Sequence, residues 1–154
     1  MKNLGLFIIT VLLLVSCKKV EEPKDEDYGF CELIPIDNFP CGPEVISDAL
    51  RYDSVPNTYF NLTDIKVYDN CMRIELSASG CDGSTWQVNL VDAQTIAYTN
   101  PMTKDLKIEF INNEDCLAVF SKLYYFDIAP LQETSDTIIN LHIENADTSV
   151  LYSY

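Results

Sequence analysis

Apolar and polar residues alternate along most of the chain after Asn61. Between residues 72 and 78 every second residue is apolar, and Arg73, Glu75 and Ser77 fill the positions between them. Because successive side chains of a strand point to opposite faces, this alternation predicts a strand with one buried face. Similar stretches recur further along the chain: 65–67, 86–90, 106–110, 139–143 and 150–154. Residues 117–128 are richer in aromatic side chains and predict a strand that is buried on more of its surface.

Turn-forming residues separate these predicted strands. Gly80-Cys81-Asp82-Gly83 predicts a hairpin between the strands on either side, and Asn100-Pro101 and Asn112-Asn113 predict further turns. Regular short strands separated by turns predict an all-β domain. We expect an antiparallel β-sandwich, with a small β-barrel as the alternative.

Residues 30–60 do not follow this alternation. They are rich in proline, which predicts an irregular arm before a β-domain over residues 61–154. Pro43-Glu44 precedes apolar residues at positions 45, 46, 49 and 50. This spacing suits a short helix with proline in its first turn, and an extended segment is the alternative.

The chain begins with a positive residue, Lys2, followed by the apolar run from Leu4 to Val15. That run has 12 residues, too few to span a bilayer, which needs about 20. It ends in Leu14-Val15-Ser16-Cys17, which resembles the lipobox of bacterial lipoproteins. The resemblance implies that residues 1–16 are a cleaved signal peptide and that Cys17 carries acyl chains such as palmitate.

Residues 17–29 predict a lipidated, solvated tether, because they are charged and nearly devoid of apolar side chains. Glu21-Glu22 and Asp25-Glu26-Asp27 are similar to the acidic surface-export signal of bacteroidete lipoproteins. Lys18 follows the lipid cysteine, so the aspartate that retains enterobacterial lipoproteins in the inner membrane is absent. These resemblances imply lipid anchoring in the outer membrane, with exposure at the cell surface.

The chain is strongly acidic, with 10 Lys and Arg against 24 Asp and Glu and a net charge of −14. Loss of the leader removes Lys2 and leaves a balance of −15. Binding to nucleic acid depends on Lys and Arg that displace counterions from phosphate, so this charge argues against nucleic acid as a partner. It also argues against electrostatic docking to anionic lipid, which leaves the acyl chains as the membrane anchor.

Export implies an oxidising compartment, so the cysteines after the lipobox are candidates for disulfides. Cys31 and Cys41 enclose a proline-punctuated loop and predict one pair. If residues 71–79 form a strand, Cys71 and Cys81 lie about 30 Å apart, and a disulfide tolerates at most about 7 Å between Cα atoms. The strand therefore excludes that pair.

The partner of Cys116 depends on how many strands lie between residues 84 and 111. With two strands Cys116 lies at the end of the sheet that holds Cys81, and a further strand over Thr95–Tyr98 would bring it to Cys71 instead. We expect Cys81–Cys116, with Cys71 unpaired or the alternative partner of Cys116.

Residues suited to catalysis are scarce. His142 is the only histidine, and it is predicted on a half-exposed strand face. Neither a G-x-S-x-G elbow nor a phosphate-binding loop, a C-x-x-C pair or an EF-hand pattern is present in the sequence. We therefore predict no metal and no cofactor, and no catalytic residue is assigned. An extracytoplasmic hydrolase that uses carboxylates or His142 is the alternative function.

Aromatic side chains offer a binding hypothesis. Tyr124, Tyr152 and Tyr154 lie on predicted strands, where exposed rings would stack on sugars or contact a protein. The alternative is that these rings fill the core.

Two tripeptides resemble the bacteroidete O-glycosylation signal, an Asp followed by Ser or Thr and a small or aliphatic residue. They are Asp53-Ser54-Val55 and Asp136-Thr137-Ile138. The resemblance implies Ser54 and Thr137 as acceptors, and Ser54 is favoured because it lies in the loop-like arm.

The segment from Cys71 to Ile128 is similar to small uncharacterised bacteroidete lipoproteins, over somewhat less than half of the mature chain. The similarity implies location and fold and assigns no activity. Together these observations predict a membrane-anchored lipoprotein whose exported β-domain binds a protein or glycan partner without catalysis.

Overall fold

The computed structural model describes residues 41–154. The predicted leader, the lipidation site Cys17, the tether over residues 17–29, the first part of the arm and Cys31 lie outside the described residues. Within residues 41–154, no helix is both long and apolar enough to cross a membrane.

Eight strands, one short α-helix and two 3₁₀ turns build the described domain. The strands are β1 (Ile46–Ser47), β2 (Asn61–Tyr68), β3 (Cys71–Gly80), β4 (Gln87–Ala97), β5 (Met102–Ile111), β6 (Ala118–Asp127), β7 (Ile138–Ile143) and β8 (Thr148–Ser153), and the helix is α1 (Ala49–Ser54). A five-stranded sheet has the order β1-β4-β5-β7-β8, and a three-stranded sheet has the order β2-β3-β6. The all-β sandwich prediction is confirmed, and neither sheet closes into a barrel.

Alternation along each strand creates the core between the sheets. On β3, Met72, Ile74 and Leu76 are fully buried, while Arg73 and Glu75 point to the outer face. Buried side chains from the five-stranded sheet meet them: Leu90, Leu106, Ile108, Phe110, Ile139, Leu141, Ile143 and Tyr152. Most strands thus bury one face, as a period of two predicts, whereas β4 also buries Val91 and Ala93 against Tyr52 of α1.

The predicted hairpin between β3 and β4 is wrong. β3 pairs with β2 and β6, whereas β4 pairs with β1 and β5 in the other sheet. The turn after Gly80 therefore carries the chain from one layer to the other. Alternation shows which side chains are buried. It does not show whether two strands that face the same core are neighbours in one sheet or lie in opposite sheets of the sandwich.

The sheets are not purely antiparallel, which corrects the sequence prediction. β1 pairs with β4 in parallel, and β5 pairs with β7 in parallel, with Asp105 opposite His142. β6 lies between β5 and β7 in sequence but belongs to the three-stranded sheet. Because the chain crosses over the core through β6, it returns to the five-stranded sheet in its original direction.

Residues 41–60 are part of the folded domain and not an irregular arm. Val45 is buried in the core, and Ile46 pairs with Val91 of β4. α1 begins at Ala49, later than the proline-led helix considered from the sequence, because the Asp48 side chain accepts a hydrogen bond from the Arg51 N–H and caps it.

Candidate binding surfaces

Two disulfides hold the described domain together. Cys41 is bonded to Cys71, so the predicted Cys31–Cys41 pair is wrong, as is the expectation that Cys71 is unpaired or bonds to Cys116. The loop-based argument failed because it considered only cysteines near in sequence. In the fold, the backbone around Pro43 pairs with Asp127 beside the start of β3, which brings Cys41 to Cys71.

The second disulfide joins Cys81 to Cys116, with 4.8 Å between their Cα atoms. This is the pairing that the strand count favoured. Residues 95–97 belong to β4 and do not form a further strand, so only two strands separate the two cysteines. Both cysteines are exposed at the same end of the sandwich.

The Glu114 carboxylate binds the turn that follows β3, at residues 81–85. It accepts hydrogen bonds from the backbone N–H groups of Cys81 (2.6 Å), Gly83 (2.9 Å) and Thr85 (3.2 Å). The Thr85 hydroxyl donates a further bond at 3.0 Å. The backbone N–H groups of the turn therefore form a concave anion-binding site, and the Glu114 carboxylate of the same chain occupies it. The sequence analysis missed this contact, because no motif marks Glu114.

Trp86 and Lys122 lie at the same end of the sandwich. We call the end that holds the Cys81–Cys116 disulfide, Glu114, Trp86 and Lys122 the clamped end. The Lys122 ammonium donates to the Gly83 carbonyl and lies 5.7 Å from the centre of the Trp86 ring. Gly83 has a φ of +67°, and a Cβ atom there would lie 2.8 Å from the Lys122 side chain. Glycine is favoured at this position for its backbone conformation, and a larger residue would also require the Lys122 side chain to move.

These hydrogen bonds strongly shift the titration of Glu114. Desolvation raises its pKa, but the backbone N–H groups of Gly83, Thr85 and Cys81 stabilise the charged form and lower the pKa to about 2. The unfolded chain should titrate near the ordinary value of 4.5. Because the folded pKa is the lower one, Glu114 contributes stability above pH 4.5 and loses it as the pH falls towards 2.

We predict that Glu114→Gln lowers the free energy of unfolding at pH 7 and that the difference from wild type shrinks between pH 4.5 and 2. The amide cannot supply a charged acceptor to the converging N–H groups. Urea denaturation at a series of pH values measures the effect. Glu44→Gln, which removes an exposed carboxylate but none of these hydrogen bonds, is the control and should change the free energy of unfolding at pH 7 by less than about 0.5 kcal/mol. A pH-independent loss in Glu114→Gln would contradict this account.

Charged residues also cover the outer face of the five-stranded sheet. Arg51 of α1 donates two hydrogen bonds to Glu109, at 3.2 and 2.6 Å, and Asn89 donates a third at 2.7 Å. The Arg51 guanidinium lowers the pKa of Glu109 through these hydrogen bonds. This cluster fixes α1 on the sheet.

A second cluster lies beside it, around Tyr52. The Tyr52 hydroxyl donates to Glu144, and the Lys107 ammonium lies 4.2 Å from the centre of the Tyr52 ring. Burial, followed by the bond to Glu144, raises the pKa of Tyr52. The charged groups of both clusters bind other groups within the domain, so both clusters stabilise the packing of α1 on the sheet.

His142 belongs to a row of three residues across β5, β7 and β8. Its Nδ1 atom lies 2.8 Å from an Asp105 carboxylate oxygen, and Ser149 is opposite His142 on β8. The order acid, imidazole and hydroxyl is that of a hydrolase triad. Among the hydrogen bonds of residues 41–154, however, none joins His142 to Ser149, and the two described grooves are lined by other residues.

The three tyrosines singled out from the sequence have different environments. Tyr152 is fully buried, and its hydroxyl donates to Asn70 at 2.7 Å, so its proposed role as an exposed binding residue is wrong. Tyr154 is half-buried, and its hydroxyl accepts a 2.6 Å bond from the Glu133 N–H. Tyr124 is half-buried against the core. Their inward positions on the strands explain why they do not form one exposed platform.

The two proposed acceptors of O-linked glycans are both exposed. Ser54 is the last residue of α1, and its hydroxyl donates to the Arg51 carbonyl. Thr137 precedes β7, and its carbonyl accepts a bond from the Tyr154 N–H. Thr137 also lines a shallow groove of about 420 Å³, together with Asn100, Pro101, Asp136, Ile138 and Leu151. Modification of either residue stays a prediction.

Metal ligands are not grouped in the described part of the chain. No set of three or more His, Cys, Asp or Glu side chains within residues 41–154 could hold an ion.

β6 is an edge strand with exposed apolar side chains. Leu117, just before it, is 92% exposed, and Val119 and Leu123 on its outer face are 72% and 49% exposed. We call Leu117, Val119 and Leu123, with the edge of β6 between Ala118 and Leu123 that pairs with no strand of residues 41–154, the β6 edge surface. The sequence predicted this strand, but the expectation that it is buried on more of its surface is wrong, because β6 lies at the margin of a sheet.

Comparisons with known proteins extend to the fold alone. No protein-family model matches the chain, and no curated protein sequence matches it significantly. Three solved structures share its fold at low sequence identity. They are a protein of unknown function, DUF1344, from Bacteroides vulgatus (16% identity, TM-score 0.53), a putative toxin related protein from Parabacteroides distasonis (14%, 0.50) and a NigD-like immunity protein from Bacteroides caccae (8%, 0.53).

The match covers 74%, 74% and 73% of this chain and 57%, 61% and 59% of those structures, respectively. The chain therefore spans about three fifths of the length of the solved structures that it matches. All three come from bacteroidete bacteria, which agrees with the expected resemblance to small uncharacterised bacteroidete proteins.

Proposed function

We propose that this chain is an acylated outer-membrane lipoprotein whose exported β-sandwich binds a protein partner without catalysing a reaction. The observation that carries the proposal is the pair of disulfides, Cys41–Cys71 and Cys81–Cys116, which are typical of an oxidising compartment. They agree with the export signal that Leu14-Val15-Ser16-Cys17 resembles.

The charge of the domain supports binding to a basic partner. Residues 41–154 contain six Lys and Arg against 17 Asp and Glu, a net charge of −11. Five of the six cations form ion pairs within the domain, and the sixth, Lys122, binds the Gly83 carbonyl. The excess carboxylates therefore determine the field that an approaching molecule meets.

Three further observations favour a protein partner and no catalysis. The burial of Tyr152 removes one ring from the platform that a glycan would need. The Asp105–His142–Ser149 row has no hydrogen bond from His142 to Ser149. One structure of similar fold is called a NigD-like immunity protein.

The anchoring half of the proposal is tested by metabolic labelling with an alkyne-bearing palmitate in a host that processes bacterial lipoproteins. We expect the wild-type chain to take up the label and to sediment with outer membranes. Cys17→Ser should abolish both, and Cys31→Ser is the matched control that should retain both. Equal labelling of wild type and Cys17→Ser would contradict the proposal.

The binding half is tested by cross-linking on intact cells, followed by mass spectrometry. We expect one protein partner, captured at equal yield by wild type and by His142→Ala, and no signal on a glycan array. Binding to glycans alone would replace the protein partner with a sugar ligand. A hydrolytic activity that His142→Ala abolishes would favour the hydrolase instead.

A further inference from the structure

We infer that the β6 edge surface is the partner-binding site, and that it takes an extended polypeptide segment which adds to the three-stranded sheet as a further strand. The segment would carry apolar side chains at alternate positions and basic side chains between them. This inference rests on the proposed function, because it names the surface and the partner chemistry of the same binding domain.

The backbone of β6 is suited to accept a strand. The N–H and C=O groups of Asp127 already pair outward, with the Pro43 carbonyl at 3.0 Å and the Val45 N–H at 2.9 Å. Groups two residues apart on a strand face the same edge, so those of Val119, Ser121 and Leu123 also point outward. Within residues 41–154, no strand pairs with them.

This edge lacks the features that normally protect one. Exposed edges are usually interrupted by proline, by a bulge or by outward charges. β6 contains no proline, and its ten residues pair with β3 without a register shift. Its one lysine, Lys122, is engaged with the Gly83 carbonyl at the clamped end. An unprotected edge with exposed Val119 and Leu123 is therefore open to pairing with another polypeptide.

The edge is also held in place before a partner arrives. The Cys81–Cys116 disulfide and the Glu114 carboxylate both fix the segment that leads into β6. A strand that is already ordered loses little conformational entropy on binding. β-Augmentation works in this way, because main-chain hydrogen bonds supply affinity and alternate side chains supply specificity.

Charge determines which polypeptide fits. Glu75 lies directly opposite Leu123 on β3, and Asp115 and Asp82 are exposed near the start of β6. Five of the six cations of the described domain form ion pairs elsewhere within it, and the sixth, Lys122, lies close enough to act on Asp82 but forms no ion pair with Glu75 or Asp115. A second copy of the domain would bring another net charge of −11. A basic segment is thus favoured over self-association.

The probe for this inference is a seven-residue synthetic peptide of alternating lysine and valine, blocked at both ends and fluorescently labelled. We expect it to bind the full chain in fluorescence anisotropy, and a peptide of alternating glutamate and valine to bind at least about tenfold more weakly. Amide hydrogen exchange should slow at Val119, Ser121 and Leu123 when the lysine peptide is added. Equal binding of both peptides would overturn the charge argument.

Ser121→Pro tests the outward backbone groups of β6, because it removes one outward N–H and leaves the hydrogen bonds between β6 and β3 in place. We expect it to weaken peptide binding about tenfold or more, whereas Ser121→Thr, which retains the N–H, should change it less than about twofold. Val119→Lys is a second variant at an exposed position, and it should weaken binding of the lysine peptide similarly. Undiminished binding to Ser121→Pro and Val119→Lys would overturn the site.

Two outcomes separate this inference from the proposed function. If Ser121→Pro still captures the cross-linked cellular partner, the β6 edge surface is not the site, although the proposed function stands. If no cellular partner exists while Ser121→Pro abolishes peptide binding, the edge is supported and the proposed function fails. Sedimentation showing dimers that Ser121→Pro dissociates would identify a second copy as the occupant and overturn the inference.

Discussion

Phe110→Ala should lower the free energy of unfolding by about 3–5 kcal/mol, the range for removal of a buried aromatic side chain. Phe110 is fully buried on β5 and contacts Trp86 and Phe60 edge to face, with ring centres 5.3 and 6.0 Å away. Removing the Phe110 ring leaves a cavity in the core, beside β4 and β5 and next to the clamped end. Both the transfer of the ring and the contacts with its two neighbours contribute.

Urea denaturation followed by tryptophan fluorescence measures this effect, since Trp86 is the only tryptophan. Tyr98→Ala is the matched control, because Tyr98 is 89% exposed and its truncation should change stability by less than about 0.5 kcal/mol. A similar loss in both variants would mean that the core is not organised around Phe110.

The double substitution Cys81→Ser and Cys116→Ser should lower the free energy of unfolding by about 3–4 kcal/mol. The two cysteines are 35 residues apart, and releasing a loop of that length restores this much conformational freedom to the unfolded chain in the loop-entropy account. The Glu114 bonds to the turn stay in place, so the folded state should keep its structure while its stability falls.

Chemical denaturation with and without a reducing agent tests this expectation. The variant Cys41→Ser and Cys71→Ser provides the comparison, since those cysteines are separated by 30 residues and should contribute similarly. Reduction should lower the stability of each variant to that of a variant without the four cysteines. An unchanged unfolding midpoint for Cys81→Ser and Cys116→Ser would show that the folded-state contacts alone hold the turn.

Local sequence patterns predicted the strands well and their arrangement poorly. The alternation around Met72 and Ile74 located β3 and its buried face, because burial on one face needs no knowledge of the neighbour. The partner of β3 could not be predicted, since β4 and β6 have the same kind of inner face. The predicted hairpin between β3 and β4 therefore failed, although both strands exist.

The disulfides show the same division. The Cys81–Cys116 pair was predicted by counting the strands between the two cysteines. That count stays valid even when the neighbours of a strand are predicted wrongly, because each strand reverses the direction of the chain. Cys41–Cys71 could not be predicted in this way, because Cys41 precedes the strands and its position depends on the pairing of Pro43 and Val45 with Asp127. Contacts of this kind join residues far apart in sequence and leave no periodic signal.

The candidate binding surface was the least predictable feature. Val119 and Leu123 have the alternation of an ordinary strand, and only the end position of β6 in the three-stranded sheet makes its edge accessible. Tyr152 shows the opposite case, since a tyrosine near the chain terminus became a core residue once β8 paired with β7.

For this protein, the sequence by itself determined the strand content, the buried face of most strands, the acidic charge and the resemblance to exported lipoproteins. These properties depend on residue type and local spacing. The tertiary structure alone decided which strands are neighbours, which cysteines meet, which carboxylate fills the turn after Gly80 and which strand edge is exposed. Those outcomes depend on how two layers with equivalent inner faces pack together, because the free energy of burial is shared across the whole core and does not belong to any single segment.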